Sequence, residues 1–355
     1  MQKKSAVEGG KVKRAFLVIF LIMMVTSWLA AETKFKMELW NRWTYARADG
    51  ETIQNEMALK RGYFRLEPKF GQNISGRFNL DFFSDDGPDD GAGIKLKYAY
   101  LDFVNLIPIR GSKLTAGLMK TYFGTIYDWD YTTIDKDPSD KYKFVSSTDY
   151  GVGIFGYVPN GLGSYAVNLY NGEGYKKTGS DINKDMNINA NLRLTPIPGV
   201  TVGGSYMMQT KNDDEIDGEK NPDRQENTLI AGMSKLVYGH ASLLTQYLMK
   251  TVSLPNVDDA EDVTTSVISL MPAYKLNNIF DVVARYDIYD PDTDTDDDGE
   301  STFIGGVNYH IMRDAKNAPK LLVQANYQIT SYEDAKDDES ELMVQLRWIF
   351  SETFK

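Results

Sequence analysis

Charge enters this chain one residue at a time, inside apolar strings. Asn187, Asn189, Asn191 and Arg193 alternate with Met186, Ile188, Ala190 and Leu192. Arg285 and Asp287 sit in the same kind of spacing, as do Glu38 and Arg42, Arg77 and Asp81, and Arg347 near the C-terminus. A lone guanidinium or carboxylate on every second residue does not build a nucleophile–base relay, whose groups must lie within hydrogen-bond reach. It builds a wall. Such a wall either draws anions along an electropositive surface, or pairs its arginines with carboxylates on adjacent strands and stiffens itself. Both readings stay open on sequence alone. Catalysis is not expected: there is no cysteine, and the only histidines are His240, at a turn signal, and His310, in an alternating string.

A second constellation could hold a cation. "DPDTDTDDDGE" (Asp290–Glu300) places Asp294, Asp296 and Asp298 at alternate positions before Gly299. Hard carboxylate oxygens so spaced can converge on one Ca²⁺ when a glycine permits the turn. The acid expected six residues after the glycine is absent, since Gly305 stands there. A solvated acidic loop and a structural Ca²⁺ site in an outer loop are both carried forward; no cofactor is required.

These groups must be positioned by strands. From Lys34 onward apolar residues recur with period two, in "KFKMELWNRWTY", "NISGRFNLDF", "MNINANLRL", "FDVVARYDIY", "LLVQANYQIT" and "LMVQLRW". That period reads as strand, and nothing after the N-terminal segment has helical spacing. The connections are of two kinds. Seven are short: "EPKFG", "NLIPIRGS", "VPNGLG", "TPIPG", "VYGH", "KLNN" and "RDAKNAP". Eight are longer and mostly acidic: "RADGETIQ", "SDDGPDDGAG", the run 123–148, "GEGYKKTGSD", "KNDDEIDGEKNPD", "LPNVDDAED", "DPDTDTDDDG" and "EDAKDDES". Fifteen connections join about 16 strands. Short turns alternating with long polar loops predict an all-β fold, a transmembrane antiparallel up-and-down β-barrel with periplasmic turns and acidic outer loops. Lipid cannot hydrogen-bond a free sheet edge, so such a sheet must close. The 22 tyrosines and 16 phenylalanines fit the aromatic girdles of a membrane barrel.

The N-terminus supports export. "KVKR" precedes an apolar run, Ala15 to Val25, and "TSWLAA" follows. A basic start, a short apolar core and small residues are the parts of a secretory signal peptide, here expected to be cleaved after Ala31. Residues 32–355 then form a single barrel domain. Without residues 1–31 the net charge moves from −11 to about −15. Nucleic acid is a poor partner for such a chain, since phosphate binding needs clustered Lys and Arg.

If the apolar parity of each strand faces lipid, the other parity lines the lumen. It carries Arg42, Arg77, Arg193, Arg285 and Arg347, with Glu38, Asp81 and Asp287 among them. The second strand, "MALKRGYFRLEP", is ambiguous: Lys60, or Arg61 and Arg65, could point inward, and a bulge could change parity midway. The longest connection, Phe123 to Thr148, is rich in aromatics and holds Asp128, Asp130, Asp135, Asp137 and Asp140 beside Lys136, Lys141 and Lys143. A loop of this length is uncommon without a role.

"KRGYFRLEPKF", "SGRFNLDFF", "KLKYAYLDF", "LTAGLMKTYFGTIYDWDY" and the terminal "LRWIF" together resemble bacterial outer-membrane porins, in particular the group related to the phosphate-selective porins O and P. The resemblance implies a sixteen-stranded barrel, commonly a homotrimer in the bacterial outer membrane, passing small hydrophilic solutes or ions, anions included, by diffusion. It also implies that the third outer loop folds inward and narrows the barrel; residues 123–148 stand in that place, with Tyr127, Asp128, Trp129, Asp130, Lys136, Lys141 and Lys143 as constriction residues. Phosphate selectivity in that group rests on a basic loop, and five aspartates against three lysines depart from it, so phosphate specificity is not carried over. A last strand ending in an aromatic is, in the family, the signal read by the barrel-assembly machinery; Phe350 and Phe354 both qualify. The alternative function is a structural or adhesive surface barrel without an open channel.

Overall fold

The computed structural model describes residues 32–84, 93–177, 183–216, 219–315, 318–334 and 336–354. The expected signal peptide lies outside the described residues. Sixteen strands close a single antiparallel barrel. They are β1 (Thr33–Ala48), β2 (Glu51–Phe70), β3 (Ile74–Phe83), β4 (Gly93–Val104), β5 (Ser112–Lys120), β6 (Thr148–Val158), β7 (Gly163–Tyr170) and β8 (Asn187–Ile197), followed by β9 (Val200–Lys211), β10 (Gln225–Tyr238), β11 (Ala241–Ser253), β12 (Val263–Lys275), β13 (Phe280–Asp290), β14 (Glu300–Arg313), β15 (Pro319–Tyr332) and β16 (Glu339–Phe354). Each pairs with its neighbour in sequence, and β1 closes the ring on β16 from Thr33 opposite Phe354 to Ala48 opposite Glu339. Every strand therefore has a partner on both sides.

The period-two pattern becomes two faces. On β8, Ile188 and Leu192 are exposed on the outer surface, whereas Asn187, Asn189, Asn191 and Arg193 are buried toward the lumen. This is an inverted protein, apolar outside and polar within, as a lipid surround requires.

All seven short connections fall at one end of the barrel, with both termini. Among the longer ones, "RADGETIQ" is not a loop. β1 and β2 run through it and are joined by Asp49 and Gly50 alone, with φ of 50° and 72°. Two consecutive positive φ values give the hairpin turn whose twist matches the flanking strands, and Asp-Gly is its strongest signal. That local chemistry outweighs the polar composition that suggested a long loop. In "KNDDEIDGEKNPD", Glu215–Ile216 and Glu219–Lys220 add a two-residue hairpin of their own.

The ambiguity in β2 is resolved by a bulge. Trp40 lies opposite Arg61 and Asn41 opposite Leu59, so Lys60 is the extra residue. A second register shift opposite Asn79 and Leu80 makes Lys97 the extra residue of β4. At the other end of the chain, β16 continues past Phe350 and pairs to Phe354. Phe350 packs beside Phe35, whose ring lies 6.1 Å away, and Phe35 also meets Phe64 at 5.2 Å.

Candidate functional site

The run 123–148 does not stand out from the barrel. It turns inward after β5, crosses the lumen, and returns at β6, with a short helix α1 (Pro138–Lys141) on the way. Its backbone is held from two sides, because a loop inside a barrel must find partners for its own N–H and C=O groups. From β8, β9 and β11 come Arg193, Ser205 and Gln246. The Gly124 N–H donates to Ser205 Oγ (2.9 Å), and Arg193 Nη2 donates to the Gly124 carbonyl (2.6 Å). Gly124 has φ +49° and lies tight against the Gln246 amide, a place where any Cβ would collide. From β13 to β16, Arg285 donates to the Lys136 carbonyl (2.6 Å), Asn308 to Thr132 (2.9 Å), Gln324 to Tyr131 (2.9 Å) and Arg347 to Asp130 (3.0 Å). Asn326 accepts from the Ile134 N–H at 3.1 Å.

Apolar packing fills the lumen on the β6–β12 side. Phe123, Phe144 and Val145 of the loop bury against Ala166, Tyr170, Met207, Leu229, Leu248 and Val267, inward-facing residues of the wall. Around these residues the lumen is a closed core, and a cavity remains in that half only toward the turn end. A passage remains against β1–β5.

A cavity of about 290 Å³ marks its narrow part. Lys36, Arg61, Arg65, Arg77, Lys97, Lys120 and Arg347 face it from the wall, with Glu38; Asp128, Asp130 and Tyr131 face it from the loop. On the loop side a wider cavity of about 560 Å³ follows, lined by Lys60, Lys95, Lys97, Lys136, Lys143, Lys176 and Lys211 against Asp81, Asp140 and Glu173. Aromatic faces hold several of the cations: the Arg61 guanidinium lies 4.3 Å from the Trp40 ring and 5.0 Å from Tyr131, and Arg77 lies 5.5 Å from Tyr98. A cation over a π face is held in position by the ring without losing its charge.

The structure brings the expected lumen residues together, and it pairs most of them. Arg347 meets Glu38 at 2.8 Å, Arg77 meets Glu67 at 2.6 Å, and Arg193 grips Asp128 at 2.6 and 3.1 Å. Arg285, fully buried, meets Asp287 at 2.7 Å and Asp135 at 3.9 Å. Arg42 donates to Gln345 at 3.0 Å, and Asp81 lies 3.8 Å from Arg61. Of the loop residues, Lys141 bridges Asp135 (3.2 Å) and Asp287 (3.5 Å), Tyr127 lies under Arg193, and Trp129 donates to the Asp135 carbonyl (3.1 Å). The arginines are thus largely scaffold, as is Lys36, 3.2 Å from Glu38, and Lys97 and Lys120 supply charge that no carboxylate among the described residues pairs.

Two loop carboxyls are displaced in opposite directions. Burial pushes the Asp137 carboxyl up to about 6, against hydrogen bonds from Ser139 and Thr125 that favour its ionised form. Burial acts on Asp135 in the same sense, but Lys141 and Arg285 outweigh it and hold that carboxyl below the usual range.

Sequence reasoning missed Lys95, Lys97 and Lys120, along with Tyr98 and Tyr100. A signal was present: the charges of "KLKYAYLD" fall on odd positions at Lys95 and Lys97 and on an even one at Asp102. That parity change is the mark of the bulge. The carboxylates Asp294 and Asp296 are exposed, and Asp292 turns onto its own loop, accepting from Thr295 Oγ1 at 3.1 Å. Among the described residues no three acidic, histidine or cysteine side chains gather to hold a metal ion. His310 lies at the turn end of the lumen with its Nε2 2.6 Å from Asp281.

No family model and no curated protein matches this chain. Solved structures do match in fold. A loop L8 deletion mutant of OmpT, an outer membrane protein of Vibrio cholerae, is similar with a TM-score of 0.66 at 13% identity, over 90% of this chain and 100% of that one. OmpT folded in vitro, in its trimer form, gives 0.64 at 12% identity, over 90% and 99%. An anion-selective porin from Comamonas acidovorans gives 0.63 at 14% identity, over 90% and 100%. The barrel is therefore of the kind found in outer-membrane porins, a likeness of fold.

Proposed function

We propose that this chain forms a water-filled channel in the bacterial outer membrane, with its short turns in the periplasm, through which small hydrophilic solutes and ions diffuse passively and anions pass preferentially. One observation carries the reading. The loop that closes half the lumen leaves open the half whose wall is basic, with Lys36, Arg61, Arg65, Arg77, Lys97 and Lys120 about a cavity of roughly 290 Å³. Low-dielectric walls focus the field of such a cluster, so local anion concentration rises even though the chain as a whole is acidic. Two of the carboxylates beside it are engaged, Glu38 with Arg347 and Asp128 with Arg193, and the cations outnumber Asp130 and Asp140, which also border it. Phosphate specificity is not part of this reading. A homotrimer is, on the analogy of the trimer form of OmpT, and so is assembly through the aromatic end of β16.

Planar-bilayer recording of the purified protein tests it. Discrete ohmic steps are expected, with a reversal potential in a KCl gradient displaced toward that of chloride. A reversal toward potassium would remove the anion preference; persistently silent bilayers would favour a structural or adhesive barrel.

A further inference from the structure

Beneath the loop the lumen holds a third cavity, of about 520 Å³, that lies toward the turn end and meets the basic cavity at Asp128, Trp129, Asp130, Tyr131 and Arg347. Its roof is Trp129 and its neighbours in the loop. Its wall is unlike the rest of the lumen. Met233, Leu244, Met271 and Leu322, all on lumen-facing parity, set an apolar patch among polar and charged neighbours such as Asn308, Gln324, Arg193 and Arg347. Register places Lys235 directly across from Leu244, and Leu244 across from Met271. Lys275 lies four residues further along β12, at the cavity's turn end.

These two lysines differ from the other cations here. Arg193 and Arg347 are bound to Asp128 and Glu38, and Arg313 lies 3.7 Å from Asp281. Among the described residues no carboxylate lies within ion-pair distance of Lys235 or Lys275. Asp281 stands opposite Lys275 in the sheet but has turned to His310, 2.6 Å away. An apolar patch beside two cations that have no carboxylate in ion-pair range combines the two elements of a ligand pocket, hydrophobic surface and a few polar groups that fix orientation.

We infer that this cavity binds an amphipathic organic anion, a carboxylate with a short apolar body, entering from the periplasmic side. The carboxylate lies between Lys235 and Lys275, and the body lies on Leu244 and Met271. The orientation, though not the pocket itself, rests on the proposed channel and its placement in the membrane. Inorganic anions have no use for the apolar wall, and uncharged solutes have none for the lysines, so the pocket separates amphiphiles from both.

Bound bromine quenches a nearby indole, and Trp129 forms the roof. Full-length mature protein in lipid vesicles is titrated with 6-bromohexanoate while tryptophan emission is read; 6-bromohexanol and bromoacetate are the comparators. Saturable quenching by the bromohexanoate is expected, with half-effect at least about tenfold below that of either comparator. W129F should lose the signal, and K235Q/K275Q should raise the half-effect concentration about tenfold, with heat-modifiable gel mobility confirming that each barrel is folded. M271N is the second variant, acting on the apolar wall alone, and should weaken binding without touching charge. Equal quenching by 6-bromohexanol would report partition into lipid and overturn the inference, as would unchanged affinity in K235Q/K275Q. The two readings fail separately: absence of saturable quenching in channels that conduct chloride removes the pocket, whereas quenching in a barrel that never conducts removes the channel.

Discussion

At the scale of single residues, two buried groups decide how firmly the loop is held. Arg285 is the more consequential. Its guanidinium is fully buried, bonded to Asp287 and to the Lys136 carbonyl, and it lies 5.4 Å from the Trp129 ring. Removing one member of a buried ion pair leaves the other charge uncompensated, whereas replacing both with apolar groups is often near neutral. Arg285→Met should therefore cost about 3 kcal/mol in unfolding of the folded barrel followed in detergent, and Arg285→Met with Asp287→Leu should recover most of it. If the single and double variants are equally destabilised, the pair is not the anchor described. Asp137 acts through pH. Its carboxyl caps α1, accepting from the Ser139 N–H at 2.8 Å, and lies against the Thr125 hydroxyl, which also faces Gln246 Oε1. One hydroxyl proton cannot serve two acceptors; a proton on Asp137 completes the chain. Burial raises this group from its usual 3.8 to about 6. A raised carboxyl contributes its stabilisation fully below pH about 4 and loses it as pH climbs through about 6. The loop should thus be quieter at pH 5 than at pH 7.5, seen as less current flicker in single channels, and Asp137→Asn should abolish that difference. Flicker that keeps its pH dependence in the asparagine variant would assign it to another group.

At the scale of elements, the basic passage is made by two bulges. A strand of regular pleat offers the lumen one residue in two, and a bulge lets two consecutive residues face the same way. Lys60 and Arg61 gain that arrangement on β2, Lys97 and Tyr98 on β4. Without them the wall beside the loop would hold fewer cations and would lack the aromatic faces that fix them. The bulges were legible only in part. A parity conflict in "LKRGYFR" shows that something must give, but which residue is extruded depends on the partner strand, which the local sequence does not contain. Deleting Lys60 tests the element rather than the charge. Leu59 lies opposite Asn41 and Arg61 opposite Trp40, so without Lys60 the two faces of β2 alternate without a break and β1 keeps its pairings. The deletion should therefore still give heat-modifiable, folded barrel, and both it and Lys60→Ser should lose part of the proposed anion preference. A deletion variant that fails to assemble would show that the bulge itself is needed to seat β2 between β1 and β3.

For the whole molecule, the barrel itself was the most legible feature, because closure in lipid admits few solutions and each strand repeats the same two-faced pattern. Strand number, the position of the seven turns and the lumen parity of β8, β13 and β16 all follow from it. The closed half of the lumen was not legible. Phe123, Phe144 and Val145 look like ordinary loop aromatics and aliphatics until Leu229, Leu248 and Val267, more than eighty residues later, supply the inward apolar surface they need. Nor could the sequence alone decide where the ring closes, since Phe350 and Phe354 share a parity. The pairing of β1 with β16 decides it. Ser351 to Phe354 lie opposite Thr33 to Lys36, so the last four paired residues complete the seam on which the whole ring depends. Removing residues 351–355 strips Thr33–Lys36 of partners on one side and opens a sheet edge at the headgroup level, where unpaired backbone groups are costly. Assembly into the outer membrane, measured by heat-modifiable mobility in isolated membranes, should fall several-fold. Removing Lys355 alone should not lower it, and Phe354→Ala should fall between the two because pairing survives while the terminal ring is lost. Full assembly of the 351–355 deletion would place the closing aromatic at Phe350 and make the final four pairs dispensable.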